Sequence, residues 1–430
     1  MGGRRYRRGI GGAAVSETFL NGRVTLHGGD SRDVLKTLAD NSVDSIVCDP
    51  PYGLVFMGRK WDTAGPDQAA FASEFWAECL RVLKPGGHVV AFSGTRTVHR
   101  MVCAIEDAGF EIRDSLQWLY GSGFPKSHNV SKGIDKAAGA EREVLGQAKR
   151  TGKDAGTYGA MTGDNFITAP ATARAIEWSG WGTALKPACE PICLARKPLI
   201  GTVAANVMAH GTGAINVDGC RVGLIAGDDS RLGGNGSWTT TQGQSGDTVS
   251  LPRGTVSSSA LGRWPANVIH DGSDEVLAGF PESKDGVAVG GKGNAASIYG
   301  TGLEKSAAEN QGYGGGGSAA RFFYTSKADS HDRIGSKHPT VKPVDLLRWL
   351  TRLVTPPNGL ILDPFAGTGT TAEAAYYEGF RTVLIEREEE YLADIRRRMA
   401  LCMSGPDERK RESIKAKHGD VPFSEGSLFA

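Results

Sequence analysis

The sequence lacks the features of a metal-binding, disulfide-bonded or membrane protein. Its seven cysteines form no Cys-x-x-Cys pair, and the closest two, Cys189 and Cys193, have no matching His or Cys ligands, which argues against a zinc site. An odd number of scattered cysteines favours reduced thiols. No stretch approaches the roughly 18 apolar residues of a membrane span, and no apolar signal segment follows the Arg-rich start. We therefore expect a cytoplasmic protein without a metal or a membrane partner.

The chain also lacks an excess of charge of either sign. Lys and Arg number 49 and Asp and Glu number 48, so the formal net charge is +1. Bulk charge therefore does not predict a nucleic-acid partner. Basic runs that could either contact a phosphate backbone or stay solvated occur near both ends: Arg4, Arg5, Arg7, Arg8, Arg409, Lys410, Arg411, Lys415 and Lys417.

Two segments, 21–120 and 336–403, alternate strand patterns with helix patterns. In the first, the patterns predict strands at 24–27, 43–48, 88–92 and 110–119 and helices at 33–38 (capped by Ser31), 71–83 and 97–108. In the second, they predict a helix at 343–354, a strand at 359–363, a helix to 378, a strand at 381–385 and a helix at 391–399. Alternation of this kind favours parallel pairing in an α/β, doubly wound sheet.

The segment between these two, 121–335, lacks sustained periodicity. It is polar and rich in Gly, Ser and Thr, yet it contains four tryptophans and the apolar piece 191–195. We interpret it as a large irregular insertion. Residues 1–20 are expected to form a flexible arm and residues 404–430 a polar tail. With 430 residues, the chain is long enough for one large or two medium domains.

The predicted strand 43–48 runs directly into Asp49-Pro50-Pro51-Tyr52. The prolines fix φ and remove backbone donors, so the turn is stiff. It presents a carboxylate, a carbonyl and an aromatic ring beyond the carboxyl end of a strand, where α/β sheets bind ligands. These groups suit a planar amine, with acceptors for its NH2 group and a ring to stack on. The alternative is an ordinary proline turn with Asp49 solvated and Tyr52 packed.

The predicted strand 359–363 continues into Asp363-Pro364-Phe365-Ala366-Gly367-Thr368-Gly369, and the next strand ends at Glu386. The glycines allow a ligand to approach the backbone, and an acidic residue after the next strand suits a ribose diol. Thr370 follows where a P-loop requires lysine, and the carboxylate of Asp363 would repel a pyrophosphate. It would instead favour a cationic ligand such as S-adenosylmethionine.

Together these motifs resemble those of the amino-group DNA methyltransferases. Residues 49–52 match the catalytic motif, residues 363–369 match the cofactor motif, and residues 338–343 match the segment before the cofactor helix in that family. The order of catalytic motif, insertion and cofactor motif resembles the β class, over roughly residues 22–130 and 330–402. The resemblance implies a Rossmann-like methyltransferase fold with segment 121–335 as the target-recognition region.

The resemblance also implies roles for single residues. Asp49 and the carbonyl of Pro50, in the turn stiffened by Pro51, would accept hydrogen bonds from the target amine, and Tyr52 would stack on the flipped base. The implied cofactor contacts, with Glu386 at the ribose and Lys342 and Thr371 near the methionine end, are Asp363, Pro364, Phe365, Gly367, Gly369, Thr371, Lys342 and Glu386. Asp30 is a further candidate for a cofactor or adenine contact, with helix capping as the alternative.

The implied function is methyl transfer from S-adenosylmethionine to N6 of adenine at specific sites in double-stranded DNA, with base flipping. The alternatives are N4-cytosine methylation, methylation of RNA or of a protein amide, a non-catalytic DNA-binding protein that keeps the fold, and a nicotinamide oxidoreductase. The implied setting is the cytoplasm of a bacterium, or of the host of a phage that encodes the protein. A homodimer is compatible with the β class, and the recognition sequence and any restriction endonuclease partner stay open.

Overall fold

The computed structural model describes residues 16–54, 62, 68–123, 127–147, 166–223, 262–283, 317–326, 330–336, 338 and 340–404. The strands of these residues are β1 (Ser16–Phe19), β2 (Val24–Gly28), β3 (Val43–Cys48), β4 (Leu83–Phe92), β5 (Glu111–Leu119), β6 (Val144–Gln147), β7 (Phe166–Thr168), β8 (Cys189–Arg196), β9 (Val268–His270), β10 (Glu282–Ser283), β11 (Gly317–Ser318), β12 (Tyr324–Thr325), β13 (Leu360–Asp363) and β14 (Arg381–Glu386).

Their α-helices are α1 (Ser31–Val34), α2 (Ser73–Val82), α3 (Val98–Asp107), α4 (Val130–Ala137), α5 (Ala173–Glu177), α6 (Val203–His210), α7 (Asp274–Gly279), α8 (Val344–Val354), α9 (Thr370–Tyr377) and α10 (Glu389–Cys402). None of these helices combines the length and the apolar character needed to cross a membrane.

The main sheet has ten described strands in the order β1-β2-β14-β13-β3-β4-β8-β5-β9-β12. Strand β1 is antiparallel to β2, and β8 is antiparallel to both β4 and β5, whereas the remaining pairs are parallel. The predicted α/β fold with a doubly wound, mostly parallel sheet is therefore confirmed.

The central strands are buried on both faces. Along β3, Ile46 and Cys48 pack in a cluster with residues of α2 and α3, while Val47 packs with residues of α8 and α9 on the opposite face. Strand β4 alternates in the same way. Because a strand covered on both sides needs apolar residues at successive positions, residues 46–48 and 89–92 are continuous apolar runs in the sequence.

The chain leaves the centre of the sheet in opposite directions. After β3 it continues through α2 to β4 on one side, whereas after β13 it continues through α9 to β14 on the other. Strands β3 and β13 are adjacent and parallel. Their carboxyl ends therefore form the topological switch point, where ligands bind in open α/β sheets.

Two predictions at the edges of elements are wrong. The arm 1–20 is not wholly flexible, since Ser16–Phe19 pairs with β2. Residues 84–87, which the sequence patterns leave between the predicted helix 71–83 and the predicted strand 88–92, instead belong to β4, which begins at Leu83. The register with β3 shifts there, Val43 pairing with Leu83 and Ser45 with His88, so an irregularity in the ladder accommodates Pro85 and the glycines.

Segment 121–335 contributes three strands to the main sheet, β8, β9 and β12. Strand β8 lies between β4 and β5 and is antiparallel to both, so the parallel pairing that the alternating pattern favours does not hold between these two strands. Six successive residues of β8, Pro191–Arg196, are buried, so this strand is central in spite of its polar flanks. The Gly-rich stretches 224–261 and 284–316 and both basic runs lie outside the described residues.

Residues Ser122–Ala188 form a separate compact unit. Its described part contains α4, α5 and the antiparallel pair of β6 and β7. The buried carboxylate of Asp135 accepts hydrogen bonds from the N–H groups of Ala171 and Thr172 and pairs with Arg142. This polar centre fixes the start of α5 relative to α4.

Candidate active site

The catalytic motif lies at the carboxyl end of β3, where the sequence places it. Oδ1 of Asp49 accepts a hydrogen bond of 2.9 Å from the hydroxyl of Tyr52, and Oδ2 lies 2.6 Å from the ammonium nitrogen of Lys342. No hydrogen bond within the described residues ends on the carbonyl oxygen of Pro50. Asp49 is thus oriented by two partners, and the Pro50 carbonyl is available as an acceptor.

A second carboxylate, Glu190 of β8, belongs to the same group. Its Oε2 lies 3.0 Å from the hydroxyl of Tyr52 and 3.1 Å from Nζ of Lys342. Lys342 also lies 3.1 Å from the Tyr52 hydroxyl. We call Asp49, Tyr52, Glu190 and Lys342 the four-residue cluster. Glu190 was not among the sequence candidates, although a carboxylate directly before the apolar piece 191–195 is a signal of the same kind as Asp49.

Lys342 is the buried cation of the cluster, with a side chain only 6% exposed. Its ammonium also lies over the rings of Tyr52 and Phe92, at 5.4 and 5.0 Å from their centroids. Burial acts to lower the pKa of Lys342, but the attraction of Asp49 and Glu190 outweighs it and raises the pKa. Burial and the same two carboxylates raise the pKa of Tyr52 well above its ordinary value. Lys342 is therefore charged and Tyr52 neutral at physiological pH.

The turn after the motif depends on a glycine. Gly53 has φ of +66°, and a Cβ at this position would lie 2.6 Å from the ring of Phe71, closer than packed atoms allow. Its N–H donates to Oδ1 of the buried Asp62 at 2.6 Å. This arrangement turns the chain after the motif, so that the motif lies at the carboxyl end of β3.

The cofactor motif forms the loop between β13 and α9. Asp363 is buried and accepts hydrogen bonds from the N–H of Phe365 at 3.0 Å and from the hydroxyl of Thr371. Burial raises the pKa of Asp363 to about 7, with the charges of Asp49 and Glu386 adding to the rise. The carboxylate therefore lies where a positive charge would stabilise its ionised form.

Glu386, at the end of β14, holds the tip of the same loop. Its Oε2 accepts from the N–H of Gly367 at 2.8 Å, and its Oε1 accepts from the N–H groups of Arg387 and Glu388 at 2.9 Å. Burial raises the pKa of Glu386 to about 7 although these N–H groups oppose the rise. Gly369 begins α9 at φ of +76°, where a Cβ would press against Ile395 at 3.1 Å.

Arg398 of α10 fixes this loop from behind and was not among the sequence candidates. Its fully buried guanidinium donates to the carbonyl oxygens of Thr368 and Asp332, both at 2.7 Å, and to the carboxylate of Glu373 at 2.6 Å. A buried arginine on the apolar face of a helix gives no signal in a pattern of hydrophobic residues. Its contacts explain why the loop has a defined shape.

The remaining candidates occupy three places. Thr371 and Pro364 lie at the ends of the cofactor-motif loop, while Phe365 packs on Phe75 with ring centroids 5.1 Å apart. Lys342 contacts the catalytic motif, and its predicted place near the methionine end of a cofactor stays a prediction. Of the residues that the structure describes, no three His, Cys, Asp or Glu side chains are grouped to hold a metal ion.

Asp30 is the N-cap of α1. Its Oδ1 accepts from the backbone N–H of Arg32 at 3.0 Å, and its Oδ2 accepts from the guanidinium of the same residue at 2.7 Å. The prediction of Ser31 as the cap is wrong by one residue, because the side chain that accepts from a free N–H of the first turn, that of Arg32, belongs to Asp30. The predicted cofactor contact of Asp30 stays a prediction.

Comparison with known proteins supports the resemblance to the amino-group DNA methyltransferases. The model of the N6_N4_Mtase family, described as DNA methylase, matches residues 43–177 and 293–397. The chain is 33% identical to the type II methyltransferase M.HpaI of Haemophilus parainfluenzae over 23% of this chain and 32% of that protein. It is 27% identical to the type II methyltransferase M.HindIII of Haemophilus influenzae over 44% of this chain and 64% of that protein. The matched stretches thus span less than two thirds of these relatives.

Among solved structures, the chain is similar to PvuII DNA methyltransferase (cytosine-N4-specific), with 13% identity, a TM-score of 0.43 and coverage of 94% of this chain and 95% of that one. It is also similar to M1.HpyAVI in a complex with SAM, with 15% identity, a TM-score of 0.37 and coverage of 87% and 98%. The family model covers more than half of the sequence and both motif-bearing halves of the sheet. The chain therefore belongs to the N6/N4 family of DNA methylases.

Proposed function

We propose that the protein transfers the methyl group of S-adenosylmethionine to the exocyclic N6 of adenine in double-stranded DNA. One observation carries the proposal: the Asp49–Tyr52 turn and the loop after Asp363 lie at the carboxyl ends of two adjacent strands, β3 and β13. An amine-gripping turn and a nucleoside-binding loop are thus neighbours at the switch point of the sheet. Membership of the DNA methylase family supports the same reaction.

The residues of the loop fit S-adenosylmethionine. Asp363 and Glu386 are carboxylates whose pKa values are raised to about 7 by burial, and a cationic ligand would offset that burial. The ligand carries an ammonium and a sulfonium, and its ribose diol suits a carboxylate at the end of β14. When bound, it would supply an electrophilic methyl group.

Asp49 and Pro50 would activate the target amine. The lone pair of an aromatic NH2 group is delocalised into the ring, so the nitrogen is a weak nucleophile. Hydrogen bonds from its two N–H groups to Asp49 and to the Pro50 carbonyl favour a tetrahedral nitrogen, and the carboxylate stabilises the positive charge that develops. Lys342 holds Oδ2 of Asp49 at 2.6 Å. In-line attack then depends on positioning, with the base flipped out of the duplex and Tyr52 against its face.

The choice of adenine rests on Asp49 at the first position of the motif 49–52, because Asp at this position favours adenine in the amino-group DNA methyltransferases. N4-cytosine is the alternative, with the same grip on the amine. Residues 121–335 would supply target recognition, and the compact unit Ser122–Ala188 is one described part of that segment.

The test is to incubate the protein with labelled S-adenosylmethionine and mixed-sequence duplex DNA, digest the DNA to nucleosides and identify the labelled one. Label in N6-methyladenine supports the proposal. Label in N4-methylcytosine keeps the mechanism and replaces the substrate. Bound cofactor without label on DNA overturns the proposal, and labelled RNA or protein in parallel reactions would then identify the acceptor.

A further inference from the structure

Glu190 is the carboxylate of the four-residue cluster that neither sequence motif contains. Its side chain is 17% exposed, compared with 24% for Asp49, so Glu190 also reaches solvent. The Tyr52 hydroxyl lies 3.0 Å from Glu190 and 2.9 Å from Asp49. One hydroxyl thus bridges two carboxylates that come from different strands, β3 and β8.

The proposed reaction, on which this inference rests, releases a proton inside this site. The amine nitrogen begins with two hydrogens, and as its bond to the methyl carbon forms it develops a positive charge, which is removed when one of these hydrogens leaves as a proton. An acceptor near Asp49 is required, because Asp49 is one of the two groups that hold the amine.

We propose that Glu190 is the terminal acceptor of this proton, reached from Asp49 through the hydroxyl of Tyr52. The nitrogen–carbon bond forms as the sulfur–carbon bond breaks, and the electron pair of the broken bond stays on sulfur. As this happens, one amine proton passes to Asp49. Asp49 then gives a proton to the Tyr52 oxygen while Tyr52 gives its own proton to Oε2 of Glu190. Asp49 and Tyr52 return to their starting states, and Glu190 releases the proton to solvent.

The charges of the cluster support this path. Counted at their usual formal charges, the two carboxylates, the ammonium of Lys342 and the neutral Tyr52 give the cluster a charge of −1, and one added proton brings it to zero. Lys342 lies within 3.1 Å of an oxygen of each of the other three residues, so it fixes the path without being able to accept the proton. The raised pKa of Tyr52 keeps its hydroxyl able to donate and accept.

The experiment measures methyl transfer under single-turnover conditions in H2O and D2O for wild type, Glu190→Gln, Tyr52→Phe and the double variant. We expect each single variant to be slower by about tenfold, less than the roughly 10²–10⁴ of direct general base catalysis because Asp49 can still accept a proton. The double variant should be no slower than the slower single variant, since both changes interrupt one path. The solvent isotope effect should fall in all three variants.

The matched control is Glu111→Gln on β5, beside the other end of β8, where Glu111 pairs with Arg196; its rate and isotope effect should equal those of wild type. Binding of S-adenosylmethionine and thermal unfolding of Glu190→Gln establish that the variant is folded. A Glu190→Gln variant with the rate and isotope effect of wild type overturns the proposal. So does weaker ligand binding with an unchanged isotope effect, which would make Glu190 a positioning residue for Lys342. Failure of the wild type to methylate DNA overturns the proposed function instead.

Discussion

The two halves of the candidate active site hold their carboxylates in opposite ways. Asp49 at the end of β3 and Glu190 of β8 share the ammonium of Lys342, at 2.6 and 3.1 Å. At the ends of β13 and β14, Asp363 and Glu386 accept hydrogen bonds from backbone N–H groups and a hydroxyl, and burial raises both pKa values to about 7. One half carries its own cation, whereas the other is suited to a cation that arrives with a ligand.

This difference separates what the protein must do before binding from what it does after. In the proposed reaction Asp49 accepts from a neutral amine, which brings no charge of its own, and the cation beside Asp49 is the resident Lys342. A carboxylate that recognises a cationic ligand gains from having no resident partner, because a lysine there would compete with the ligand. Each prediction below removes one of these carboxylates or cations.

The largest effect is expected for Asp49→Ala. Methylation of DNA should fall by about 10³-fold or more, since the variant loses the group that stabilises the developing charge. The affinity for S-adenosylmethionine should change less than about threefold, because the half of the site with Asp363 and Glu386 is intact. Single-turnover labelling and calorimetry measure the two quantities.

The control for this variant is Asp40→Ala, which removes a carboxylate that is 68% exposed and paired with Arg81. It should leave methylation unchanged. If Asp49→Ala lost cofactor binding together with methylation, the division of the site into two halves would be wrong.

Lys342→Met should cause the largest loss of stability. The substitution leaves Asp49 and Glu190 close together without a cation, and breaking a buried pair typically lowers the free energy of unfolding by about 3–5 kcal/mol. Adding Glu190→Gln should recover more than half of this loss because it removes one of the two repelling charges. Urea denaturation of both variants measures the effect.

Arg174→Met is the control for this comparison, since it breaks a pair that is 69% and 61% exposed and should change stability by about 1 kcal/mol at most. A Lys342→Met variant as stable as this control would show that the two carboxylates do not depend on the lysine.

Ligand binding should depend on pH in the half without a cation. Because the pKa of Asp363 is raised to about 7, the affinity for S-adenosylmethionine should rise up to about tenfold between pH 6 and pH 7.5 as the carboxylate ionises. Asp363→Asn should flatten this rise, whereas Asp114→Asn on the exposed part of β5 should not. Calorimetry in buffers of different ionisation enthalpy should detect proton release on binding, and its absence at pH 6.5 would contradict the prediction.

The raised pKa values of Asp363 and Glu386 also predict how the stability of the protein depends on pH. The folded state binds their protons more tightly than the unfolded chain, so the free energy of unfolding without ligand should fall as pH rises from about 4 to about 7 and level off above that. Added ligand should reduce this fall. A stability that instead rose throughout this range would mean that other groups dominate the titration.

Much of this comparison was visible in the sequence, but only where a residue belongs to a local pattern. The strand–turn patterns located Asp49, Asp363 and Glu386 at strand ends, and the parallel sheet brought those ends together. Glu190 and Arg398 were not predicted from the sequence, because their contacts arise only from long-range packing. Strand β8 enters the sheet antiparallel after a separate unit, and no periodicity within 189–196 tells which strands will flank it.

The boundaries failed for a related reason. Leu83–Gly87 contains Pro85 and two glycines, which favour a turn locally, yet pairing with β3 and the backbone hydrogen bonds with Lys197 hold it in the sheet. Residues 16–19 gain their strand only from β2. Local propensity thus decides elements with strong patterns and yields to tertiary pairing elsewhere.

The smallest effect concerns Asp30, a fifth carboxylate at the carboxyl ends of the strands, which has its own cation in Arg32. The comparison of the two halves suggests a rule: a carboxylate that is paired with a cation of the protein itself does not bind the cationic ligand. Asp30→Ala should lower the free energy of unfolding by about 1 kcal/mol through loss of the N-cap, and Asp30→Asn should restore most of it because asparagine caps equally well. Both variants should bind S-adenosylmethionine within about twofold of wild type. A tenfold loss of affinity in both would make Asp30 a cofactor contact and limit the rule to the four-residue cluster.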